Sequence, residues 1–212
     1  MSLSTFIPNW FFGIDAIFYI VALIIGLATA FYAYKVYAIT GKKQHFYLFM
    51  GFTVLSIAFL SLAMTSTYVS FRMADPGFMV QDQTFDIIDF GFFLYYAISL
   101  IAYGFLVSMY LPEKKQNKPM FAFLPWWFIF FPFFHLVSVL MLAFVVFRSF
   151  INWHETRTRS GFAVFVAFSG IGLFHLLSFF TFLYAMFYIL ASLCLIVGSL
   201  SLLVVLFKVS RR

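Results

Sequence analysis

Two histidines in apolar surroundings are the residues of this chain best suited to chemistry. His135 and His175 each lie within a long apolar run, and an ionisable side chain inside a membrane span is costly and often functional. If the two runs form adjacent antiparallel helices, the imidazoles lie about 13 Å and about 9 Å from the same end, at similar depth. Two facing histidines in a helical bundle can bind haem b or a metal ion. We nevertheless expect no cofactor, because a neutral histidine is more commonly hydrogen-bonded to a neighbouring helix, here through Ser138, Ser169 or Ser178.

Three aspartates form a second candidate site. Asp86 and Asp89 fall in the first turns of a predicted helix, where the helix dipole favours negative charge. Asp15 is expected at the membrane edge on the same side. Together they are a candidate interfacial acidic site for a cation, although stabilisation of the helix N-terminus is the interpretation that we favour. The intervals between these aspartates do not match those of an EF-hand loop.

The common signatures of catalysis are missing from the sequence. It contains no HExxH zinc-protease motif, no GxSxG nucleophile elbow and no glycine-rich phosphate loop. His154 and Glu155 begin the first of these patterns, but the second histidine does not follow. We therefore expect the protein to have no catalytic activity of its own.

The composition indicates the class of protein. Of the 212 residues, 65% are hydrophobic and 9% charged, and the mean hydropathy is +1.04, whereas a soluble domain is about 45–50% apolar and about 25% charged. Phenylalanine alone contributes 35 residues. These values exclude a soluble globular protein and a nucleic-acid partner, despite the net charge of +6. They predict a multi-pass integral membrane protein with the lipid bilayer as a partner, located in the cell membrane, plasma or inner.

Five apolar runs free of Asp, Glu, Lys and Arg are long enough to cross a bilayer, which takes about 20 residues in a helix. The last run would extend about 70 Å as a single helix, so it must bend, and we predict the bend near residues 181–186. The expected fold is all-α, a polytopic transmembrane bundle of six helices in one domain, residues 1–212. Strands of a membrane β-barrel would alternate polar and apolar residues, which these runs do not. The runs are residues 16–34, 46–71, 90–112, 119–147 and 161–207.

The basic residues do not decide the orientation of six spans. Positive residues in short loops favour the cytoplasmic side, but six spans place six Lys and Arg on one side and seven on the other. A missed crossing would reconcile the two halves, and residues 119–147, which contain Pro125 and Pro132, are long for one helix. Seven helices are therefore the alternative, and the N-terminus is predicted outside.

A faint internal repeat relates the two halves of the chain. At an offset of 116 residues, the segment 49–53 aligns with the segment 165–169, and the third helix aligns at an offset of 89. Two three-helix repeats, residues 8–112 and 124–208, are one interpretation, and chance similarity between apolar segments is the other. A copied three-helix unit would have the inverted orientation, which is a common design of transporters.

Three functions are compatible with these features, in decreasing order of preference. The first is a non-catalytic accessory or structural subunit that packs with other membrane subunits or with itself, because the loops are short and no catalytic motif is present. The second is a small transporter built from inverted three-helix repeats, which predicts a polar cavity between the halves. The third is a redox subunit that binds haem or a metal through His135 and His175.

Overall fold

Six long helices make up nearly all of the described residues of the computed structural model, which are 12–73, 83–111 and 133–210. All six are long and apolar enough to cross a membrane. The predicted all-α, multi-pass membrane bundle is therefore confirmed for this part of the chain. A short 3₁₀ helix, Phe180–Phe182, precedes the last helix. The helices are α1 (Phe12–Thr40), α2 (Lys43–Met73), α3 (Gln83–Ser108), α4 (Phe133–Thr156), α5 (Arg159–Phe179) and α6 (Met186–Ser210).

The helices form a closed ring, in which each packs against the next along the chain and α6 packs back against α1. Helices α1 and α2 are antiparallel, since Tyr34 packs on Phe49 and Tyr19 on Phe59, with ring centroids 5.4 Å and 6.5 Å apart. The pairs α2 with α3, α4 with α5, and α5 with α6 are antiparallel as well. Aromatic and aliphatic side chains fill the interior, and Ile, Leu and Phe are exposed on the outer faces, as lipid contact requires.

Helices α3 and α4 run in the same direction, although they are consecutive along the chain. Tyr96 of α3 stacks on Phe134 of α4, with ring centroids 4.2 Å apart. Fourteen residues further along each helix, Tyr110 and Arg148 line one pocket. Leu111 therefore lies toward the opposite end of the bundle from Phe133.

Two three-helix units, α1–α3 and α4–α6, consequently have the same orientation. Helices α6 and α1 are parallel like α3 and α4: the hydroxyls of Tyr19 and Tyr188 lie 2.6 Å apart, and fourteen residues later Ala33 and Leu202 line one pocket. The inverted arrangement that we expected is therefore not the one observed. The reason is that α4 points the same way as α1, which makes any repeat a rotation about the membrane normal.

The turns that join the first two helices of each unit have matching geometry. Gly41 and Arg157, 116 residues apart, both have positive φ, 64° and 49°. Their backbone N–H groups donate to the carbonyls of Tyr37 and Trp153, at 2.8 Å and 2.7 Å, which are also 116 residues apart. This is the single-bond αL helix ending. The matching geometry of the two turns favours the predicted repeat. The repeat stays a prediction, because only the sequence offset and this geometry support it.

The fourth predicted span is displaced along the chain. Helix α4 begins at Phe133 and ends at Thr156, so Arg148, the charged residue that ends the predicted run 119–147, lies inside the helix. The rest of that predicted span, residues 119–132, lies outside the described residues. A search for uncharged runs stops at the first charged residue, whereas helical hydrogen bonding does not. The bend predicted near residues 181–186 is confirmed, because a 3₁₀ helix and a turn occupy it.

Basic residues concentrate at one end of the bundle, which we call the basic end. Helices α1, α3, α4 and α6 finish there, and α2 and α5 begin there. Of the eight Lys and Arg in the described ranges, only Arg72 lies at the other end, which we call the Asp15 end. The even split expected for six spans therefore does not hold for these residues, because α4 runs opposite to the direction that six spans imply. The other seven are Lys35, Lys42, Lys43, Arg148, Arg157, Arg159 and Lys208.

Candidate functional site

His135 and His175 meet in the interior of the bundle. Their Nδ1 atoms lie 3.1 Å apart, and Nε2 of His175 is 2.5 Å from the hydroxyl of Tyr103. These contacts join α4, α5 and α3, and all three side chains are buried. The serine partners that we expected are not used: the hydroxyls of Ser138 and Ser178 have no hydrogen-bond partner among the described residues, and the same holds for Ser169. The histidines pair with each other instead.

The contact between the two imidazoles bears on the cofactor hypothesis. A bis-histidine haem holds its iron between the two imidazole rings. The ring centroids of His135 and His175 lie only 5.3 Å apart, so the rings would have to separate to admit it. Among the described residues, no group of three or more His, Cys, Asp or Glu side chains is placed to hold a metal ion, and a structural zinc site uses four ligands. The arrangement supports a hydrogen-bonded pair, and a haem or metal at His135 and His175 stays a prediction.

Asp15 is buried between α1, α2 and α6. Its Oδ2 atom accepts hydrogen bonds from the hydroxyls of Tyr188, at 2.9 Å, and Ser66, at 3.2 Å. The hydroxyl of Tyr188 in turn contacts that of Tyr19. We expected Asp15 at the membrane edge; it does lie in the first turn of α1, but its side chain faces the interior and is 0% exposed.

The proposed acidic site of three aspartates receives no test from these positions. Asp89 lies on α3 and is exposed, whereas Asp15 is fully buried. The side chain of Asp86 lies outside the described residues. An interfacial cation site at Asp15, Asp86 and Asp89 therefore stays a prediction.

A small cavity lies between the Asp15 network and the histidine pair. Its volume is about 10 Å³, close to the room that one water molecule needs. Tyr19 and Tyr188 line it from one side and His135 from the other. Tyr96 and Ser178 also line it, and each has a buried hydroxyl without a hydrogen-bond partner among the described residues. We call this cavity and its lining the polar centre, to which all six described helices contribute.

A much larger pocket, which we call the vestibule, lies toward the basic end. Its volume is about 710 Å³, within the range of about 300–1,000 Å³ typical of small-molecule sites. Gln44 and Glu155, which are exposed in the first turn of α2 and the last turn of α4, line it at that end. Its wall is rich in polar groups, which are Thr29, Tyr32, Gln44, His45, Tyr110, Arg148, Asn152 and Glu155.

The two three-helix units contribute matching positions to the vestibule. Four pairs of residues 116 positions apart, which the predicted repeat treats as equivalent, line it together. At its inner limit Phe52 and Phe168 are in contact, with ring centroids 6.3 Å apart, and both are almost fully buried. The vestibule therefore lies between the two three-helix units, on the axis of the rotation that would superpose one unit on the other. The matched pairs are Tyr32 with Arg148, Val36 with Asn152, Leu48 with Val164, and Phe52 with Phe168.

The polar centre lies on the same axis. Tyr19 and His135 are 116 residues apart, as are Leu62 and Ser178, and all four line its cavity. Along α2, ten residues separate Leu62 from Phe52, about 15 Å. The phenylalanine pair thus stands between the vestibule and the polar centre.

Several residues of this arrangement escaped the sequence analysis. Tyr19, Tyr103 and Tyr188 stand in apolar runs, where a tyrosine is as readily an ordinary core residue. The repeat offset was the one available signal, because it places Tyr19 on His135. Arg148 directly follows the uncharged run 119–147, so its place on the vestibule wall was not predicted.

Comparison with known proteins identifies no relative. No family model matches the chain, and neither the curated proteins nor the solved structures include a significant match. The class of protein is therefore the one that the fold defines, a multi-pass α-helical membrane protein.

Proposed function

We propose that the protein is a carrier that moves a small polar solute across the membrane between its two three-helix units. The observation that supports this most is the vestibule, a pocket of about 710 Å³ lined by both polar and apolar side chains, with matched residues from both units on its wall. Membrane carriers built from repeats bind their substrate at the interface of the repeats and expose it by rocking one against the other.

The phenylalanine pair and the polar centre support the same proposal. Phe52 and Phe168 close the inner limit of the vestibule. A carrier needs such a barrier between the parts of the solute path that open to opposite sides of the membrane. Beyond the phenylalanine pair the polar centre offers hydroxyl and imidazole groups inside the membrane, where unneeded polar groups are costly.

The accessory-subunit hypothesis makes a different prediction from the carrier proposal. It expects the protein, gently extracted from its native membrane, to keep larger subunits bound, and native mass spectrometry would identify them. The carrier proposal expects a monomer or a homo-oligomer instead. Co-purifying subunits together with absent transport would replace the carrier by the subunit.

Uptake into liposomes tests the proposal directly. The purified chain is reconstituted, and uptake of radiolabelled lactate, glutamate, phosphate, glycine and glucose is compared with protein-free liposomes. Asn152→Trp fills the vestibule, and Phe147→Trp, on the lipid-exposed face of the same helix, is the matched control. We expect uptake of at least one solute, a loss of at least tenfold in Asn152→Trp and little change in Phe147→Trp. Uptake of none of the solutes, or equal uptake by both variants, would overturn the proposal.

A further inference from the structure

Arg148 places a cation deep on the wall of the vestibule. It stands eight residues before the end of α4, about 12 Å along the helix axis. Its side chain is exposed and lines the pocket. An arginine at such depth is tolerated where it lines a water-filled space, and it marks a functional site by default. No other Lys or Arg of the described residues lines the vestibule.

The acidic residue on the same wall is too far along the helix to neutralise this charge. Glu155 follows Arg148 by seven residues, about 10 Å along the axis of α4, and it lies in the last turn, at the basic end. A single α-amino acid could not bridge these two levels with its own ammonium and carboxylate. The inner part of the vestibule is therefore positive.

Side chains that can donate hydrogen bonds line the same pocket as the guanidinium. Asn152 stands one turn further on the same helix face, and Tyr32 occupies the matching position in the other unit; both line the vestibule. Tyr110 lines it as well, and burial raises the pKa of its hydroxyl to about 12 while the charge of Arg148 acts to lower it. The Tyr110 hydroxyl thus keeps its proton at neutral pH and is able to donate.

From this geometry we propose that the vestibule binds an anionic oxygen group, a carboxylate or a phosphate, on Arg148, with Tyr32, Tyr110 and Asn152 as hydrogen-bonding partners. The planar guanidinium matches the two oxygens of such a group in a bidentate pair. The inference rests on the proposed carrier function and names the class of its solute, a small organic or inorganic anion. The phosphate of an anionic lipid headgroup has the same chemistry and is the other source of the ligand.

Binding measured apart from transport tests this inference. Thermal unfolding of the full chain in detergent is followed with increasing lactate, glutamate or inorganic phosphate, since a ligand that binds the folded state raises Tm. Native mass spectrometry with phosphatidylglycerol is the lipid arm. Arg148→Gln removes the charge, Arg148→Lys keeps it without the bidentate geometry, and Arg159→Gln, which lies outside the vestibule lining, is the control.

We expect Arg148→Gln to raise the Kd at least tenfold, Arg148→Lys to raise it less, and Arg159→Gln to leave it unchanged. Binding of phosphatidylglycerol alone, lost in Arg148→Gln, would keep the anion site and assign it to a lipid. Binding that Arg148→Gln does not weaken, or no binding of any of these probes, would overturn the inference. Failure of the two proposals is distinguishable: binding without uptake contradicts the carrier, and uptake that is insensitive to Arg148→Gln contradicts the anion site.

Discussion

Buried polar residues form hydrogen bonds between particular helices of this bundle. Packing of apolar side chains alone does not select one neighbouring helix over another. The carboxyl of Asp15 accepts hydrogen bonds from two other helices, and the His135–His175 pair adds a third helix through Tyr103. In lipid, helix association depends on such bonds and on close packing, because the lipid tails are as apolar as leucine. Each of these side chains is therefore expected to carry a measurable share of the stability.

The bond between Tyr103 and His175 gives a prediction at this scale. His175→Leu leaves the Tyr103 hydroxyl buried without that partner, and we expect it to lower the free energy of unfolding by about 1–2 kcal/mol. The double variant Tyr103→Phe with His175→Leu removes both partners, so its loss should be smaller than the sum of the single losses. Detergent-induced unfolding of the four proteins measures this. Strictly additive losses would show that the two side chains are not coupled.

The cofactor hypothesis is tested at the same residues. With the two Nδ1 atoms in contact, we expect the protein purified from its native membrane to show no Soret absorption and no stoichiometric metal by elemental analysis. If a Soret band or a bound metal were found, His135→Phe and His175→Phe should abolish it. In that case the pair would be a ligand set, and the redox hypothesis would take precedence over the carrier.

Close approach of α5 and α6 is the element-scale feature with the clearest consequence. Gly170 and Gly198 face each other, and a Cβ on Gly170 would lie 2.7 Å from the carbonyl oxygen of Cys194 and 2.7 Å from Cα of Gly198. Small residues at such a crossing let two backbones pack directly. A side chain at Gly170 would have to push the helices apart, since backbone atoms cannot move aside as a flexible side chain does.

A matched pair of substitutions tests this crossing. We expect Gly170→Ala to destabilise the protein by about 1–3 kcal/mol, the usual cost of overpacking. Gly172→Ala is the control on the same helix, because its Cβ would meet Val146 at 3.8 Å, an ordinary contact, and it should be neutral or mildly stabilising. Thermal unfolding in detergent compares the two. Equal effects would mean that the α5–α6 distance is not limiting.

At the scale of the whole molecule, the direction of α4 changes the predicted topology. Since α3 and α4 are parallel, seven of the eight described Lys and Arg lie at one end, and the positive-inside bias predicts that this basic end is cytoplasmic. That orientation would put the N-terminus outside, as the sequence also predicts, and the C-terminus inside; the orientation stays a prediction. A chain that starts outside and finishes inside crosses an odd number of times, so seven crossings, the alternative from the sequence, become the expectation.

Reporter fusions test this topology in expressing bacteria. We expect a green fluorescent protein fused after Arg212 to be fluorescent, and alkaline phosphatase fused there to be inactive. Alkaline phosphatase inserted between α2 and α3 should be active, and the same enzyme inserted after Arg157 should be inactive. Active phosphatase at the C-terminus would contradict seven crossings and restore six.

Much of the fold was predictable because hydropathy and helix length are local properties. An apolar run long enough to span a bilayer must be helical there, since no water is available for an unpaired backbone. The membrane class, the six helices and the bend before Met186 follow from that requirement alone. The similar depth of His135 and His175 followed as well, from counting residues along two helices.

The remaining features were decided by the tertiary structure, because they depend on how distant segments are oriented. The direction of α4 relative to α3 determines which end each basic residue occupies, and no local pattern encodes it. Whether Asp15 faces lipid, water or the interior depends on α2 and α6, which supply its hydroxyl partners. Arg148 was read as the end of a span because it is charged, whereas the helix continues past it and the other unit provides the polar pocket that accommodates the charge. The sequence by itself determined that the chain is a helical membrane protein, and packing between distant helices decided where the vestibule and the buried polar residues lie.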